Sequence, residues 1–321
     1  MINRRELLAS GASLAAGATL FGSEVFAQQI NIAIATGGTG GVYYPLGGGM
    51  ANIFSRHLKG VQATARVTGG SVANLQLIGS GQAEVALTQV DAAVDAINGV
   101  DKFKGNQVPV RNLMLLYPNR MHVVTIEGRG IKTMADLKGK RVSCGSPGSA
   151  TEVMDFRVIE AAGLDRDKDM RRERLGVAES TNAVKDGKID AYFWVGGLPT
   201  AAVTDLGATP GTKIVLVDTA HLVEKMNATN PVYTAGVIPA KTYPGQTTDN
   251  AVSVIQNILV AHAKMSDQIA YDLVKTIFDY LADLALVHGE AKNILIENQK
   301  TGPIPWHPGA VRYYKERGVK L

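Results

Sequence analysis

The sequence predicts an α/β fold with two lobes, in which helices pack on largely parallel sheets and a ligand cleft lies between the lobes. Short apolar runs typical of strands alternate along the chain with runs whose apolar residues recur every three or four positions, as they do in helices. Such alternation is typical of helices packed on parallel sheets. With 321 residues, 45% of them hydrophobic, the chain is long enough for two lobes.

The first predicted elements are a strand, a glycine-rich turn and a helix. The apolar run 30–35 is followed by residues 36–45, Thr-Gly-Gly-Thr-Gly-Gly-Val-Tyr-Tyr-Pro, and then by apolar residues at helical spacing over 46–58. Glycine lets the backbone approach a ligand closely, and the start of a helix offers free N–H groups and a positive dipole end to an anion. The turn is therefore predicted to bind a small anion, with a tight turn that binds nothing as the alternative.

Two familiar kinds of nucleotide site do not fit this turn. A phosphate-binding P-loop needs Lys followed by Ser or Thr after its last glycine, whereas the chain has Val42, Tyr43 and Tyr44 there. The dinucleotide motif G-x-G-x-x-G fits Gly38 and Gly40 but requires a third glycine where Tyr43 stands. The sequence therefore predicts neither an ATPase nor a dinucleotide-dependent enzyme.

Further strands and helices follow in the same alternation. Strands are predicted at residues 63–68, 84–88 and 140–144. Helices are predicted at residues 71–78, 151–162 and 311–317, with a helical turn at 132–138 and a broad apolar helical face over 269–285.

Two segments of the chain share one pattern. Residues 81–87 and 187–193 each consist of a glycine that ends a helix, two further residues, an acidic residue and a buried strand. Each segment follows a helix that a serine, Ser71 or Ser180, is expected to start. The repeat indicates two similar lobes, and a cleft between lobes is a preferred place for a small-molecule site.

The N-terminal residues are typical of an export signal. Arg4 and Arg5 precede a weakly apolar stretch over 7–21, and Val25 and Ala27 place small residues where a cleavage site requires them. We expect a periplasmic protein exported by the twin-arginine or the general secretory route. No later run reaches about 18 apolar residues, so no membrane span is predicted. The predicted organisation is a signal peptide at 1–27, lobe I at 28–119, lobe II at 120–245 and the helical remainder of lobe I at 246–321.

No arrangement of residues in the sequence is typical of an enzyme. The six histidines lie without metal-ligand spacing, and no G-x-S-x-G motif is present. The single cysteine, Cys144, lies in a predicted strand, which favours a buried residue over a nucleophile. The densest basic run, 171–174, has no interleaved aromatic residues, so no nucleic-acid partner is predicted. We expect no catalytic residue, cofactor or metal, and a secreted hydrolase acting on a small carboxylate-containing substrate is the alternative.

Several further short motifs are weak one by one, but their combination is typical of a single protein family. The chain has Thr-Gly-Gly-Ser-Val-Ala-Asn at 68–74, Leu-Lys-Gly-Lys-Arg-Val at 137–142, Gly-Ser-Pro-Gly-Ser at 145–149, Asp-Gly-Lys-Ile-Asp-Ala at 186–191, Ile-Pro at 238–239, Tyr-Pro-Gly at 243–245 and His-Pro-Gly-Ala at 307–310. With the glycine-Tyr-Tyr-Pro turn, these motifs resemble the TAXI-type solute-binding subunits of TRAP transporters over essentially the whole chain that follows the predicted signal.

The resemblance implies a non-enzymatic receptor with a type II-like periplasmic binding protein fold, and we expect a monomer. Such a receptor closes on a small organic anion, for example glutamate, 2-oxoglutarate or another small carboxylate, and delivers it to a membrane permease driven by an ion gradient. The chain departs from the family where Tyr-Pro-Glu is common, because it has Asn119 and then Arg120 after Tyr117 and Pro118. An acid is lost and a base is gained near the expected crossover between the lobes.

Each candidate ligand-binding residue also has a purely structural interpretation. Ser149 and Glu152 have the spacing of a capping box, and Ser71 has the position of an N-cap. Tyr43 and Trp194 are as typical of packing as of a cleft wall. An arginine such as Arg120 pairs well with a carboxylate but is also common on surfaces. The residues predicted to bind the ligand are Thr39, Gly40, Gly41, Val42, Tyr43, Ser71, Gln89, Asn119, Arg120, Ser146, Ser149, Ala150, Thr151 and Trp194.

Overall fold

The computed structural model of the chain describes residues 29–300 and 302–321. The predicted signal peptide and its cleavage site lie outside the described residues. Ten strands in the described part form one mixed sheet. They are β1 (Ile30–Ala35), β2 (Val61–Arg66), β3 (Val85–Gln89), β4 (Val110–Ile126), β5 (Arg141–Ser143), β6 (Arg171–Glu173), β7 (Ala191–Gly196), β8 (Ile214–Leu216), β9 (Thr234–Ile238) and β10 (Asn250–His262).

Helices cover the sheet between these strands. They are α1 (Tyr43–His57), α2 (Ser71–Gly79), α3 (Val90–Asn98), α4 (Ala150–Ala161), α5 (Val177–Lys185), α6 (Ala201–Ala208), α7 (Val223–Asn227), α8 (Asp267–Asp279), α9 (Leu281–Val287) and α10 (Pro308–Glu316). Short 3-10 helices lie at Asp101–Phe103, Met134–Leu137, Ala220–Leu222, Gly289–Asn293 and Ile296–Asn298. No helix of the described residues is long and apolar enough to cross a membrane.

The order of the strands is symmetric about the centre of the sheet. The order is β2-β1-β3-β10-β4-β7-β5-β6, with β8 beside β4 and β9 beside β10. The outer pairs β1–β2, β1–β3, β5–β6 and β5–β7 are parallel, as β-α-β connections require. The central strands β4 and β10 run antiparallel to their neighbours. The sheet is therefore α/β and mixed, with its parallel parts on either side.

The two long central strands have a weak sequence signal. Strand β4 contains Pro118, which is rare within central strands because it cannot donate to the ladder. The pairing of β4 with β10 shifts register between Gln256 and Ile258, beside Pro118, so the ladder is already irregular there. Burial on both faces also removes the alternation by which exposed strands are recognised.

Buried apolar side chains divide into four clusters. Two of them draw mainly on residues 32–117 and 258–314, and the other two draw on residues 121–255. We call the part built from 30–117 and 258–321 the first half and the part built from 121–255 the second half. Strands β4 and β10 pass from one half to the other. The lobe boundaries expected at 119 and 245 stay a prediction.

The glycine and the acidic residue of the repeated pattern occupy equivalent places in the two halves, but the serines do not both start their helices. Ser71 is the first residue of α2, after the N-cap Gly70, whereas α5 begins at Val177 and Ser180 lies inside it. Gly81 and Gly187 have φ values of +70° and +68° and follow α2 and α5. Glu84 Oε2 accepts the N–H of Ala33 in β1 at 2.7 Å, and Asp190 Oδ2 accepts the N–H of Arg141 in β5 at 2.9 Å. Each acidic residue thus fixes the start of β3 or β7 against its parallel neighbour.

The C-terminal helices differ in detail from the prediction. The apolar face over 269–285 is divided between α8 and α9, because the helix is interrupted at Tyr280. Helix α10 begins at Pro308 rather than at 311, since His307 caps it and proline is favoured in the first helical turn. Cys144 directly follows β5 and is fully buried, as expected, and burial raises the pKa of its thiol.

Candidate functional site

A cleft of about 410 Å³ lies between the two halves. It is lined by the segments that follow the carboxyl ends of parallel strands in both halves, together with Tyr117 and Asn119 of β4. Ligands of open α/β sheets bind outside the carboxyl ends of the strands, so this is where the fold places a ligand. The lining segments are residues 37–43 after β1, 67–71 after β2, Gln89 at the end of β3, 145–151 after β5, 174–179 after β6 and 194–196 at the end of β7.

The structure brings together all but one of the residues predicted to bind the ligand. Those that line the cleft are Thr39, Gly40, Gly41, Val42, Tyr43, Ser71, Gln89, Asn119, Ser146, Ser149, Ala150, Thr151 and Trp194. Contact of these residues with a ligand stays a prediction.

Arg120 is the exception, because it does not line the cleft. Its guanidinium donates through Nε to the carbonyl of Val237 at 3.1 Å and through Nη1 to the carbonyl of Pro118 at 3.1 Å. Nη1 also lies 3.4 Å from Oε1 of Glu290, a buried carboxylate. In a strand, successive side chains point to opposite faces, and Asn119 takes the face toward the cleft. The guanidinium of Arg120 therefore joins segments behind the cleft.

Four helices begin at the cleft, two from each half. Their first residues, Tyr43 of α1, Ser71 of α2, Ala150 of α4 and Val177 of α5, all line it. The N–H groups of these residues donate to no acceptor among the described residues. Free first-turn N–H groups and aligned peptide dipoles give the start of a helix a partial positive charge. The cleft is thus suited to a negatively charged group.

The hydroxyls in the turn before α4 are used differently from the sequence prediction. Ser146 Oγ donates to the carbonyl of Gly69 at 2.9 Å, and Ser149 Oγ donates to the carbonyl of Ser146 at 2.7 Å. A hydroxyl has one hydrogen to donate, so these two serines have none left for a ligand. Ser149 does cap α4 by accepting the N–H of Glu152, but the predicted capping box is incomplete because the Glu152 carboxylate contacts Arg174.

Two other hydroxyls, unlike those of Ser146 and Ser149, donate to no backbone carbonyl among the described residues. Thr151 Oγ1 accepts the N–H of Val195 at the end of β7, at 3.3 Å. Ser71 Oγ accepts the N–H of Gln89 at the end of β3, at 3.1 Å. Both residues line the cleft and are buried, and their backbone partners fix where each oxygen lies. The cleft therefore has one positioned hydroxyl donor from each half.

Uncharged polar side chains line the part of the cleft next to β3, β4 and β10. Tyr43 Oη donates to Oδ1 of Asn257, which also accepts from Nδ2 of Asn119 at 2.8 Å. Gln89 Oε1, Tyr117 Oη and Asn119 Oδ1 are buried without a partner among the described residues. Burial raises the pKa of Tyr43 and of Tyr117, so both phenols stay neutral. We call Tyr43, Gln89, Tyr117 and Asn119 the polar floor.

Contacts between the halves close over the cleft. The indole ring of Trp194 lies against Gly41, where an added Cβ would be 2.9 Å from Cη2 of the ring. Nε1 of Trp194 donates to Oγ1 of Thr200 at 2.9 Å, which holds the ring in place. A second contact joins the first turn of α2 to the turn before α4, where the N–H of Ala73 donates to the carbonyl of Gly148 at 3.0 Å. Glycine at 41 is required by this close approach.

Sequence reasoning missed one of the lining segments, residues 174–179. This segment follows β6 and precedes α5, just as 67–71 follows β2 and precedes α2. The repeat of 81–87 in 187–193 relates α2 to α5, and extending it backward would have identified the segment. Tyr117 and Asn257 were also missed, because each lies within a strand whose ends the sequence does not mark.

Comparison with known proteins places the chain among previously described folds. A model of the NMT1-like family matches residues 34–318.

Several solved structures are similar to this chain in fold. The periplasmic aliphatic sulphonate binding protein SsuA of Escherichia coli is 13% identical, with a TM-score of 0.44 over 89% of this chain and 83% of that one. The GluR0 ligand-binding core in complex with L-glutamate is 7% identical, with a TM-score of 0.49 over 84% of this chain and 99% of that one. A protein of Bordetella bronchiseptica RB50 is 19% identical, with a TM-score of 0.48 over 89% and 88%. With TM-scores below 0.5, these similarities say nothing about the ligand of this chain.

Proposed function

We propose that this chain, which belongs to the NMT1-like family, is an exported receptor that binds a small organic anion and delivers it to a membrane permease. The observation that carries the proposal is the convergence of four helix N-termini, two from each half, on one cleft between the halves. Such a cleft holds an anion from both sides at once and releases it when the halves separate.

The anion we propose is a carboxylate. Backbone N–H groups at the starts of α1 and α2 and the hydroxyls of Ser71 and Thr151 are donors of the kind that bind carboxylate oxygens. Micromolar affinity requires about 8 kcal/mol, which a few charge-assisted hydrogen bonds in a closed cleft are able to supply. Glutamate, 2-oxoglutarate and related carboxylates are the first compounds to test.

The partner we propose is a TRAP-type permease, with the chain as its TAXI-type periplasmic subunit. Support comes from the ordered motifs of the sequence, two of which, 68–74 and 145–149, contribute to the cleft. The N-terminal segment supports export to the periplasm. We further propose that the halves are lobes that close on the ligand, with the change in angle taken up in β4 and β10.

Calorimetry of the protein produced from the full chain tests the proposal against a panel of two- to six-carbon carboxylates. We expect binding of at least one carboxylate at micromolar affinity or tighter, without its conversion, and compaction in small-angle scattering when it is bound. If NMR shows that a bound carboxylate is chemically converted, the result would instead favour the secreted hydrolase. Failure of every carboxylate to bind would refute the receptor proposal.

A charge introduced at Thr151 tests the place of binding. Thr151→Asp puts an acid in the first turn of α4, where it suits the helix dipole but repels an anion in the cleft. We expect affinity for the tightest carboxylate of the panel to fall about tenfold or more, or about 1.4 kcal/mol. The matched control is Gln268→Glu, which adds an acid at the equivalent position of α8, outside the cleft, and should leave affinity unchanged. Equal affinity in a folded Thr151→Asp protein would remove α4 from the site.

A further inference from the structure

We infer that the ligand carries a single negative charge and that its other end is a neutral group with a hydrogen to donate, such as a carboxamide or hydroxyl group. The ligand class is thus a short monocarboxylate with a polar tail, in preference to a dicarboxylate or an α-amino acid. This inference rests on the proposed function and narrows it. Three observations on the cleft support it.

The first observation is the charge of the lining. Among the described residues that line the cleft, only Arg174 and Glu179 carry a formal charge. Arg174 Nε lies 2.6 Å from Oε1 of Glu152, and Lys102 Nζ lies 3.5 Å from Oε2 of the same carboxylate. Arg174 therefore already has a carboxylate partner, which it shares with Lys102, and the Arg174 side chain is 49% exposed to solvent. The lining offers no unpartnered cation to a second carboxylate, and its one carboxylate, Glu179, is exposed at the edge.

The second observation is the balance of the helix dipoles. The start of a helix is equivalent to about half a positive charge. In α5 this partial charge is opposed by an acid in the first turn, Glu179, whereas α1 and α2 have no acid there. The first-turn acid of α4, Glu152, is already paired with Arg174 and Lys102. The starts of α1, α2 and α4 together amount to about one and a half positive charges, which balances one carboxylate but not two. A second carboxylate enclosed without a partner would pay a large desolvation cost.

The third observation is the composition of the polar floor. Gln89, Tyr117 and Asn119 are at most 2% exposed, they line the cleft, and each has a polar atom without a partner among the described residues. Buried polar groups in native proteins are almost always satisfied, so these atoms indicate a missing partner. The unpartnered atoms of Gln89 and Asn119 are amide oxygens, which only accept, and every member of the floor is neutral, so the partner it suits is a neutral donor. An ammonium group would need a carboxylate, which the floor lacks.

Matched pairs of ligands test the inference on the unmodified protein. Glutaramate and glutarate have the same chain length and differ in one carboxamide against one carboxylate, and succinamate and succinate form the same pair one carbon shorter. Calorimetry near neutral pH should show the monoamide binding about tenfold or more tightly than the diacid in at least one pair. L-Glutamine, which adds an ammonium group to glutaramate, should bind more weakly than glutaramate.

A substitution at Gln89 in the polar floor tests whether this residue contacts the neutral end of the ligand. Gln89→Glu places a negative charge in the floor and should weaken glutaramate binding by about tenfold or more. The control Gln82→Glu makes the same change of charge at an exposed position outside the cleft and should have no effect. If Gln89→Glu does not fold, the comparison of the matched ligand pairs on the unmodified protein tests the inference by itself.

The outcomes separate this inference from the function on which it rests. Tighter binding of the monoamides supports both. A diacid that binds as tightly as its monoamide, or more tightly, overturns the inference of a single-charge ligand, and so does L-glutamine that binds more tightly than glutaramate. Neither result contradicts the proposal that the protein is a carboxylate receptor. Absence of binding for every carboxylate, including the wider panel above, overturns the receptor itself and the inference with it.

Discussion

Ser146 Oγ donates a hydrogen bond of 2.9 Å to the carbonyl oxygen of Gly69, and this bond joins the two halves across the cleft. Ser146 belongs to the turn between β5 and α4, and Gly69 to the turn between β2 and α2. The turn before α4 is also joined to the first turn of helix α2, by the bond from Ala73 N–H to the carbonyl of Gly148. The conformation with the halves in contact is therefore held partly by direct bonds and, under the proposed function, partly by the ligand.

Removing this hydroxyl should weaken ligand retention without weakening the fold. A net hydrogen bond contributes about 0.5 to 1.5 kcal/mol, so Ser146→Ala should lower affinity for the tightest carboxylate roughly two- to tenfold, mainly through faster dissociation. Stopped-flow displacement measures the dissociation rate. Ser80→Ala is the control, because it removes a hydroxyl bond to Leu77 within the first half. A dissociation rate equal in both variants and the wild type would contradict the prediction.

Adding one methyl group at Gly41 should hinder closure. In Gly41→Ala the new Cβ would lie 2.9 Å from the Trp194 ring, which is less than van der Waals contact allows. We expect affinity for the tightest carboxylate to fall about tenfold or more at a nearly unchanged Tm, since the two residues belong to different halves.

The matched control for Gly41 lies in the next helix. Gly48 is inside α1 and has nothing within 4 Å of an added Cβ, so Gly48→Ala should keep affinity and stabilise the protein by about 0.5 to 1 kcal/mol. Wild-type affinity and scattering profile in Gly41→Ala would show that the halves do not close on the cleft in this way.

His122 should make stability fall with falling pH. Burial lowers the pKa of its imidazole to about 4, and its nitrogens bond the carbonyl of Arg120 and the hydroxyl of Tyr243. The unfolded chain takes up a proton near pH 6.5 while the folded protein does not, so this contribution is complete above pH 6.5 and is lost as pH falls toward 4. Between pH 7 and pH 5 the loss should be about 2 kcal/mol.

Urea denaturation at both pH values measures this loss. His122→Gln should show a smaller difference between pH 7 and pH 5 than the wild type, whatever its stability at pH 7. The exposed His221 provides the control, and His221→Gln should keep the wild-type difference. An undiminished difference in His122→Gln would assign the pH dependence to other groups.

An ion-pair cluster between the halves should contribute strongly to stability. Arg157 of α4 lies 3.1 Å from Oδ2 of Asp91 and 2.9 Å from Oδ2 of Asp95, both on α3, and it donates to Tyr233 Oη at 2.6 Å. Arg157→Gln leaves the fully buried Asp91 without its cation, which costs about 3 to 5 kcal/mol near neutral pH. The cost should shrink as pH falls, because burial already raises the pKa of Asp91 and protonation removes its charge.

Chemical denaturation of Arg157→Gln and of Lys213→Gln compares this cluster with an exposed pair. Lys213 pairs with Glu127 and both side chains are more than half exposed, so its loss should cost at most about 1 kcal/mol. Equal effects of the two substitutions would show that the buried cluster is not a major source of stability.

The sequence by itself determined the local elements and most of the lining of the cleft. Strand β1 has the bounds expected from its apolar run, and α2 and α4 begin within one residue of their predicted starts, because glycine and capping residues act over a few neighbouring positions. Turns between a strand and a helix are equally local. Their residues, such as Gly41 and Thr151, could therefore be named before their neighbours in space were known.

The tertiary structure alone decided the central strands and how each polar group is used. Strands β4 and β10 are antiparallel and continuous because each pairs with distant segments, which no local pattern around Pro118 reveals. Arg120 points behind the cleft, and Ser146 and Ser149 donate to carbonyls rather than into it. A donor is free or engaged according to the partners that folding brings within about 3 Å, and those partners lie far away in sequence.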